Sequence, residues 1–534
     1  MAKVKILTAA EAANLVEDGM TVSTNGFVAC DLPEELTSAL EKRFLETGSP
    51  KNLTYFYAAG QGNRDGSGAD HFAHEGMTST VIAGHYNMAP KLGELIMQNK
   101  IKAYNLPQGT LSQLYRDIAG VLHSRSCGAD RYLQFRAGLR RLGTLTHVGL
   151  YTFADPRVEG GKLNDITTED LVEVVNICGE ERLLYKAIHV DVALIRATYA
   201  DEYGNITMEH ECCTAEATAI AQAAKNCGGK VIVQVEKVVT DVDPKLVKVP
   251  GIYVDAVVVT ENKENHTQCV GCEYDGSMTG EFRVPLGSLE APSLSPKKII
   301  GRRAAMELRP DTVVNLGIGI PEYISMVANE EGIGDHFTLT VEAGPVGGVP
   351  QGGPQFGGAV NAQAILDQPA QFDFYDGGGV DDAFLGLAQA DKDGNINVSK
   401  FGPRIAGCGG FVNITQNAKR VYYCGTFTAG GLKCSTKDGK LIIDQEGKSD
   451  KFIDTVEQIT FSGKYANKVG QPVMYITERA VFELREDGVY LTEVAPGIDI
   501  QTQILDHMGF VPKMDGEPKL MDERIFKDEI MGLE

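Results

Sequence analysis

The sequence predicts an α/β fold made of two similar open domains, each with a mostly parallel sheet and crossover helices. The chain has 534 residues, which is too long for a single hydrophobic core. Short apolar runs that suit strands alternate with stretches that suit helices, and this alternation is typical of parallel sheets. A stretch rich in glycine, proline and serine interrupts the alternation near the middle of the chain, after which the pattern resumes.

The first predicted domain covers residues 1–275. It opens with a helix at 9–16, and Pro33 introduces a second helix at 34–44. A later helix is predicted at 214–226. The strands predicted for this domain lie at 21–27, 53–59, 101–106, 148–153, 191–197, 231–238 and 252–260.

A linker is predicted at residues 276–297, because this segment lacks the periodicity of either a helix or a strand. The second predicted domain covers residues 298–534 and resumes the alternation of helices and strands. Its strands are predicted at 313–316, 337–342, 372–375, 383–388, 420–427 and 473–477.

The two halves share landmarks in the same order, which predicts an internal duplication. ADEYGNIT at 200–207 and ADKDGNIN at 390–397 each follow an apolar strand and precede a helix-like segment. TVSTNGF at 21–27 and TVVNLGIGI at 312–320 are each followed by a Pro-Glu pair. Matched landmarks with matched flanks favour duplication over chance recurrence of turn sequences. We therefore expect a ligand site between the two halves.

Composition excludes several classes of function. The formal net charge of −22 argues against nucleic acid or an anionic membrane as the main partner. Eleven cysteines in a chain of this length do not make a disulfide scaffold. The N-terminal residues lack the apolar core of a signal peptide, and no run approaches eighteen apolar residues. The sequence thus predicts a cytoplasmic protein that does not enter membranes.

A single carboxylate stands at the end of a predicted strand in the second half. The strand at 337–342 ends in Glu342, and seven glycines follow within residues 344–358. Open α/β sheets bind ligands at the carboxyl ends of their strands, and glycines let backbone approach a ligand closely. Glu342 is therefore the main candidate for chemistry, as a general base, a metal ligand or a nucleophile.

Other chemistries have weaker signals. The only Cys-x-x-Cys is Cys269 to Cys272, and without a second pair it does not predict a metal site. Gly317 and Gly319 form a Gly-x-Gly after a strand, but the third glycine of the dinucleotide fingerprint is missing. The sequence also contains neither a Gly-x-Ser-x-Gly nor a P-loop string. No bound metal and no tightly bound cofactor are predicted.

Several long motifs carry a resemblance to a known family. In the second half they are VNLGIGIPEY (314–323), TVEAGPVGGVPQGG (340–353), FDFYDGGGVD (372–381), NVSKFGPRIAGCGGF (397–411) and CGTFTAGGLK (424–433). In the first half they are RDGSGADHFAHEGM (64–77), AYNLPQGTLSQLYRDIAG (103–120) and KLNDIT (162–167). Together they resemble the family I coenzyme A transferases, and within that family the propionate and short-chain acyl-CoA:acetate transferases.

The resemblance implies the activity and the reacting residues. It implies reversible transfer of coenzyme A between a short-chain acyl-CoA and a free carboxylate of the acetate, propionate, butyrate or lactate type. The route is ping-pong through a glutamyl-CoA thioester on Glu342, so that CoA is a substrate. Gln108 matches the side-chain donor to the oxyanion, and backbone N–H groups of Gly409 and Gly410 are further candidates.

The resemblance also suggests contacts for CoA and an assembly state. The candidate contacts are Gly317, Gly319, Gly377, Gly378, Gly379 and Lys433. A homo-oligomer, either a dimer or a tetramer, is implied. Which acid is preferred cannot be predicted, because pockets separate acids that differ by a methyl or hydroxyl by only ~1–3 kcal/mol.

Two segments depart from the family pattern. Segment 121–142 is longer than the usual loop and carries five arginines and one aspartate. It is interpreted as a surface helix or insertion, with a basic patch for a CoA phosphate or a partner subunit as the alternative. The loop after Phe27 reads VACDLP, which leaves the acyl-chain preference open.

Two other classes of function share features with this sequence. A sugar-phosphate isomerase or ligand sensor on the same fold would need only one half and has no use for Glu342. A nicotinamide dehydrogenase would need the missing third glycine.

Overall fold

The structure is a computed structural model that describes residues 3–120, 142–285 and 292–533. The predicted basic segment, apart from Leu142, and the middle of the predicted linker lie outside these residues. Within the described ranges, no helix combines the length and apolar character needed to cross a membrane.

The first half is organised around an eight-stranded sheet. Its strands in chain order are β1 (Lys5–Leu7), β2 (Thr21–Thr24), β3 (Leu53–Tyr57), β4 (Thr78–Ala83), β5 (Lys102–Asn105), β6 (Val192–Arg196), β7 (Lys230–Val235) and β8 (Ala256–Val259). The spatial order is β1-β8-β7-β6-β2-β3-β4-β5, and every neighbouring pair is parallel. The central strands β6 and β7 are mostly apolar and buried, because buried side chains cover both faces of the sheet.

The second half contains a ten-stranded sheet. Its strands are β9 (Val313–Leu316), β10 (Thr338–Thr340), β11 (Pro345–Val346), β12 (Ala364–Ile365), β13 (Asp382–Gly386), β14 (Arg420–Cys424), β15 (Val473–Ile476), β16 (Ala480–Arg485), β17 (Gly488–Val494) and β18 (Lys519–Leu520). The order is β12-β11-β10-β9-β13-β14-β15-β16-β17-β18. The five central strands, β10-β9-β13-β14-β15 in spatial order, are parallel. Antiparallel pairs join the strands on either side of them.

Helices cover the faces of the two sheets. They are α1 (Ala9–Ala13), α2 (Glu34–Thr47), α3 (Pro90–Met97), α4 (Gln108–Ala119), α5 (Ala217–Asn226), α6 (Pro296–Ala305), α7 (Glu322–Glu331), α8 (Gln368–Asp376), α9 (Phe411–Asn417), α10 (Gly463–Val469) and α11 (Ile500–Gln503). The predicted α/β fold with two similar, mostly parallel sheets is thus confirmed.

Short strands complete the described fold. They form small sheets from Gly143–Thr146, Val172–Ile177 and Glu180–Lys186; from Tyr199–Asp201, Ile206–Thr207, Lys237–Val239 and Val247–Val249; from Val349–Pro350 and Ala359–Val360; from Gln389–Asp391, Ile396–Asn397 and Phe452–Ile453; from Lys400–Phe401 and Arg404–Ile405; from Thr428–Ala429 and Ser449–Asp450; and from Lys433–Lys437 and Lys440–Gln445.

The order of the strands bears out the internal duplication. The series β8-β7-β6-β2-β3 of the first sheet corresponds to β15-β14-β13-β9-β10 of the second, and both are parallel throughout. The two repeated turns also have the same hydrogen bonds. Asp201 Oδ1 accepts the N–H of Asn205 at 2.9 Å, and Asp391 Oδ1 accepts that of Asn395 at 3.0 Å. This Asx-type bond explains why an Asp and an Asn recur at the same spacing.

Two strand predictions are wrong. Residues 372–375 lie in α8, where Gln371, Phe372 and Tyr375 are buried while Asp373 and Phe374 are exposed, a spacing that belongs to a helix. Residues 148–153 form turns, because the neighbouring strands at Gly143–Thr146 and Glu180–Lys186 pair with each other instead. In both places the run is short, and periodicity alone does not separate a short strand from a helix or turn of the same composition.

The two halves are joined by a tight helix contact. Helix α4 of the first half packs against α8 and α9 of the second. A Cβ on Gly109 would lie 2.3 Å from Phe372 Cδ1, so only glycine fits at this crossing. The Gly109 N–H donates to Asn413 Oδ1 at 3.0 Å. This contact fixes the start of α4, which carries Gln108, against the second half. The domain boundaries at 275 and 298 stay predictions.

A buried histidine predicts a pH-dependent stability. His71 Nδ1 lies 2.6 Å from Glu41 Oε2, and its Nε2 lies 2.5 Å from Glu34 Oε1. Burial lowers the pKa of His71, but the hydrogen bonds and charges of Glu34 and Glu41 outweigh it and raise the pKa to about 9. Because the folded-state pKa is above the unfolded value of about 6.5, this stabilisation is complete below about pH 6.5 and lost as the pH rises through about 9.

We therefore expect His71→Asn to lower the free energy of unfolding most below about pH 6.5, by at most roughly 3 kcal/mol. Above about pH 9 its stability should approach that of the wild-type protein. Chemical denaturation at a series of pH values measures this difference. His336→Asn is the control, because the His336 side chain is 45% exposed and should show no such trend. A His71→Asn difference that is the same at every pH would contradict the charged pairing.

Candidate active site

A cavity of about 590 Å³ lies between the two halves and takes lining residues from both. The first half contributes the loops after β2, β3 and β4 and the first residue of α4. The second half contributes the loop after β9, the end of β13, the glycine-rich segment and the start of α9 with the residues just before it. The position matches the ligand site expected between duplicated halves. It also matches the rule that α/β sheets bind ligands at the carboxyl ends of their strands.

Glu342 projects into this cavity. It follows β10, and its neighbours Val341 and Ala343 are buried in a small cluster with Phe27 and Ala59 of the first half. Glu342 and Ala343 form a turn that is closed by the Gly344 N–H donating to Val341 O at 3.0 Å, and Glu342 lines the cavity. Among the described lining residues Glu342 is the only carboxylate.

Burial makes Glu342 a weaker acid than usual. Removal from water raises the pKa of Glu342 to about 7, and only the residue's own backbone N–H acts in the opposite direction. A carboxylate with this pKa is a stronger base and nucleophile than an exposed one, yet it is substantially ionised near neutral pH. This balance is typical of side chains that react.

The raised pKa predicts a pH profile. If the carboxylate form of Glu342 reacts, kcat/KM for the acyl-CoA should rise with an apparent pKa of about 7. The rate is then expected to be roughly tenfold lower at about pH 6 than at about pH 8. Initial rates in constant-ionic-strength buffers, with protein integrity checked at each pH, measure this. A flat profile between those values would contradict it.

Gln108 is held beside Glu342 by the contact between the halves. It is the first residue of α4 and is 2% exposed. Its backbone N–H donates to Gly409 O at 3.0 Å. The side-chain Nε2 is buried and has no hydrogen-bond partner among the described residues. A buried amide donor without a partner, at the wall of a cavity, is available to a ligand oxygen.

The glycine pair predicted as oxyanion donors lies between Gln108 and Glu342. A Cβ on Gly409 would lie 3.6 Å from Gln108 Oε1, and one on Gly410 would lie 3.4 Å from Glu342 Oε1. The Gly409 N–H donates to Gly84 O at 2.7 Å, so it is not free to bind an oxyanion, contrary to the prediction for this residue. The Gly410 N–H has no partner within the described part of the chain. Gly410 therefore stays the backbone candidate.

The candidate CoA contacts are not brought together. Gly317 lines the cavity, whereas Gly319 lies outside the lining and its N–H donates to Glu322 Oε1 at 2.8 Å. The remaining candidates also lie outside the cavity lining. Lys433 is exposed on a short hairpin, and the backbone bonds that end α8 come from the N–H groups of Gly377, Gly378 and Gly379. The triple glycine is thus explained by the helix end, and a CoA role for it stays a prediction without geometric support.

His85 is among the lining residues that the sequence does not predict. His85 lies in the cavity wall, where a Cβ on Gly409 would be 3.9 Å from its Cδ2. Burial, together with the charges of Arg64 and Arg404, lowers the pKa of His85 to about 4, so the ring is neutral at pH 7. A single histidine in AGHYN belongs to no motif, so local sequence does not mark it as a site residue.

Comparison with known proteins decides the family. The sequence profile described as "Coenzyme A transferase" matches residues 6–120 and 132–260. The caffeate CoA-transferase of Acetobacterium woodii is 44% identical over 539 residues, covering 99% of each chain. The acetate CoA-transferase YdiF of Escherichia coli strain K12 is 43% identical over 534 residues, covering 99% of this chain and 96% of the relative. This chain is a family I coenzyme A transferase.

A solved structure with the same fold supports this family assignment. The acyl-CoA transferase YdiF of Escherichia coli O157:H7, in a thioester complex with CoA, superposes with a TM-score of 0.90. It is 42% identical and covers 99% of this chain and 98% of its own. The resemblance stated from the motifs is confirmed, and the dehydrogenase and isomerase alternatives are set aside. The transferase is an enzyme that moves CoA between an acyl-CoA and a carboxylate.

Proposed function

We propose that the enzyme transfers CoA between a short-chain acyl-CoA and a free carboxylate through a glutamyl-CoA thioester on Glu342. The observation that carries the proposal is that Glu342 is the only carboxylate among the described residues that line the cavity between the halves. A thioester complex with CoA in the related YdiF structure supports a covalent route. Covalent catalysis divides one difficult exchange into simpler steps.

The steps balance without a cofactor. The Glu342 carboxylate attacks the thioester carbonyl, and collapse of the tetrahedral adduct breaks the C–S bond and releases CoA thiolate. The acyl group is then held on Glu342 as a mixed anhydride. The thiolate attacks the glutamyl carbonyl, which expels the acyl group as a free carboxylate and leaves glutamyl-CoA. A second carboxylate reverses these steps, so the thioester bond is conserved and no proton donor is needed overall.

Each addition creates an oxyanion, which needs oriented donors. The unpartnered Gln108 Nε2 and the unpartnered Gly410 N–H are the two donors that the described cavity wall offers next to Glu342. Both are held rigidly, since Gln108 is bonded to Gly409 through its backbone and Gly410 precedes α9. Preorganised donors of this kind stabilise developing charge without reorganising during the reaction.

The size of the cavity allows a second class of acyl group. Its walls include a tilted aromatic pair, Phe27 and Phe356, with ring centroids 5.6 Å apart. A volume of about 590 Å³ exceeds what acetate alone fills. One relative is named for acetate and another for caffeate, an aromatic acid. Aromatic acyl groups are therefore the second candidate beside short-chain ones.

Steady-state kinetics test the route and the acid together. Initial rates with varied acyl-CoA and varied acid should give parallel double-reciprocal lines, since a ping-pong mechanism releases the first acid before the second binds. The acids to be compared are acetate, propionate, butyrate, lactate and a phenylpropenoate. Intersecting lines would contradict the covalent route. Faster transfer to the phenylpropenoate than to every short acid would replace the short-chain proposal by the aromatic one.

The homo-oligomer, as a dimer or tetramer, is proposed on the family resemblance, and the cytoplasmic location stays a prediction from the sequence. Light scattering on the purified enzyme measures the first, and a single species with the mass of one chain would contradict it.

A further inference from the structure

A cluster of thiols lies directly behind the wall of the cavity. Cys30, Cys212 and Cys269 are fully buried, and their Sγ atoms all lie within 4.8 Å of one another. The Sγ atom of Cys269 lies 2.8 Å from that of Cys30 and 3.9 Å from that of Cys212. Cys272 packs against the same cluster. The fold thus supplies the sulfur partners that the isolated Cys-x-x-Cys lacked in the sequence.

The backbone around the cluster has the shape of a thiolate site. The Cys269 N–H donates to Cys272 O at 3.1 Å, and the Cys272 N–H donates to Cys269 O at 2.9 Å. The Cys-x-x-Cys therefore forms a tight turn. Gly271 in this turn has a φ of +83°, which glycine adopts without strain. Cys30 is paired with Cys269 across an antiparallel bridge. Three distant segments therefore deliver thiols to one point.

We propose that Cys30, Cys212 and Cys269 bind a thiophilic divalent cation of the Zn²⁺ class. Cys-x-x-Cys turns joined by further cysteines are typical of tetrahedral zinc–thiolate sites. The fourth ligand comes from Cys272 or from Asp31, whose carboxylate forms a second close group with Cys212 and Cys213. Each coordinating thiol releases one proton as the cation enters, so three thiolates around a divalent cation leave one net negative charge on the complex.

Burial favours a cation over a simple disulfide. Three thiols converge where a disulfide uses two, and all three are shut off from solvent. A cation that is bound while the chain folds needs no later access, whereas an oxidant must reach the sulfur atoms. The 2.8 Å between Cys30 Sγ and Cys269 Sγ is shorter than the ~3.8 Å between two sulfur ligands of a tetrahedral zinc ion, so these two thiols must move apart when the cation enters.

Charged side chains next to the thiols suit a thiolate complex. Asp31 Oδ2 accepts the Cys213 N–H at 3.1 Å and lies 3.3 Å from Cys212 Sγ. Asp31 Oδ1 accepts a hydrogen bond from the buried Arg196 Nη1 at 3.0 Å. Arg196 also pairs with Glu211 Oε1 at 3.7 Å, so the guanidinium holds Asp31 in place beside the thiols. Such outer groups tune metal affinity and orient the ligands.

The cluster touches the wall of the active-site cavity. Cys30 Sγ lies 3.4 Å from Pro354 O, and Pro354 lines the cavity. A Cβ on Gly358 would lie 3.4 Å from Cys212 Sγ. A cation held here would therefore tie the glycine-rich segment of the second half to three segments of the first half. The site would stabilise the cavity without touching Glu342.

Metal analysis of the purified full-length enzyme tests the proposal. We expect about one zinc ion per chain by plasma mass spectrometry after expression in zinc-supplemented medium. Cys30→Ser and Cys269→Ser should lose this ion, whereas Cys178→Ser, at an exposed free thiol, should keep it. Asp31→Asn should weaken retention against a chelator ~10–100-fold if Asp31 acts from the outer shell.

X-ray absorption on the unchanged enzyme needs no variant, so it remains decisive if the serine variants fail to fold. It should show three or four sulfur neighbours around zinc. Four would assign Cys272 as the last ligand, and three with one oxygen would assign Asp31. Metal below about one-tenth of an ion per chain, or zinc without sulfur neighbours, would overturn the proposal. An intact mass about 2 Da below that of the fully reduced chain would also overturn the proposal, because it indicates a disulfide.

Discussion

Replacing Glu342 with Gln is expected to lower the rate of CoA transfer at least ~10⁴-fold while CoA binding is retained. Glutamine keeps the size of the side chain but cannot form a glutamyl anhydride, so the covalent route is lost entirely. Loss of a nucleophile that acts as part of a unit costs up to ~10⁶-fold in well-studied enzymes. Rates are measured by following acyl-CoA consumption, and CoA binding is measured by calorimetry on the same preparation.

Three comparisons sharpen this result. Glu342→Asp should also lose transfer, because its carboxylate is about one methylene short of the reacting carbon and small displacements are costly. Asp335→Asn, at a side chain that is 92% exposed, should retain full activity. Glu342→Gln should also unfold at a higher temperature than the unchanged enzyme at about pH 8. A carboxyl whose pKa is raised on folding costs stability once ionised, and the amide removes that cost. Full transfer by Glu342→Gln would refute the nucleophile.

Replacing Gln108 with Ala is expected to lower kcat ~10²–10³-fold, equivalent to ~3–4 kcal/mol of lost transition-state stabilisation. The reason is the side-chain Nε2, which is buried without a partner and points to no structural contact among the described residues. The backbone bond from Gln108 to Gly409 is kept in the alanine variant, so the fold should be intact. The loss should appear in kcat and much less in KM, since the donor acts on the oxyanion rather than on bound substrate.

Gln113→Ala provides the matched control for this variant. Gln113 lies on the same helix, and its Nε2 donates to Asp376 Oδ2 at 2.9 Å outside the cavity lining. We expect Gln113→Ala to change kcat by less than about twofold, because its amide has a structural partner rather than a reacting one. Equal losses in the two variants would indicate that Gln108 supports the helix and not the oxyanion.

Much of the fold follows from the sequence because its strands are buried on both faces. Parallel strands such as β6 and β7 are mostly apolar and buried, and the recurring Asp-x-x-Gly-Asn turns mark corresponding places in the two halves. The sequence alone does not assign residues 372–375 correctly. A short run that contains several aromatic residues can pack as one face of a helix or as a short strand. Only the packing of α8 against α4 decides between them.

The sequence predicts some residues of the site but not others. Glu342 is marked by its place at a strand end, before a run of glycines, so local sequence is enough to select it. Gln108 has no local signal, and only the family resemblance selected it. The thiol cluster could not be read from the chain at all, because Cys30 and Cys269 are 239 positions apart. Contacts of this separation depend on the complete fold.

Mass spectrometry of the enzyme after brief incubation with an acyl-CoA detects the glutamyl-CoA thioester itself. We expect an intact mass increased by about 750 Da, the mass of CoA less one water, carried on the peptide that contains Glu342. Trapping with hydroxylamine or borohydride should mark the same residue and remove the increase. An active enzyme with an unmodified Glu342 peptide, or a CoA adduct on any other residue, would rule out Glu342 as the nucleophile.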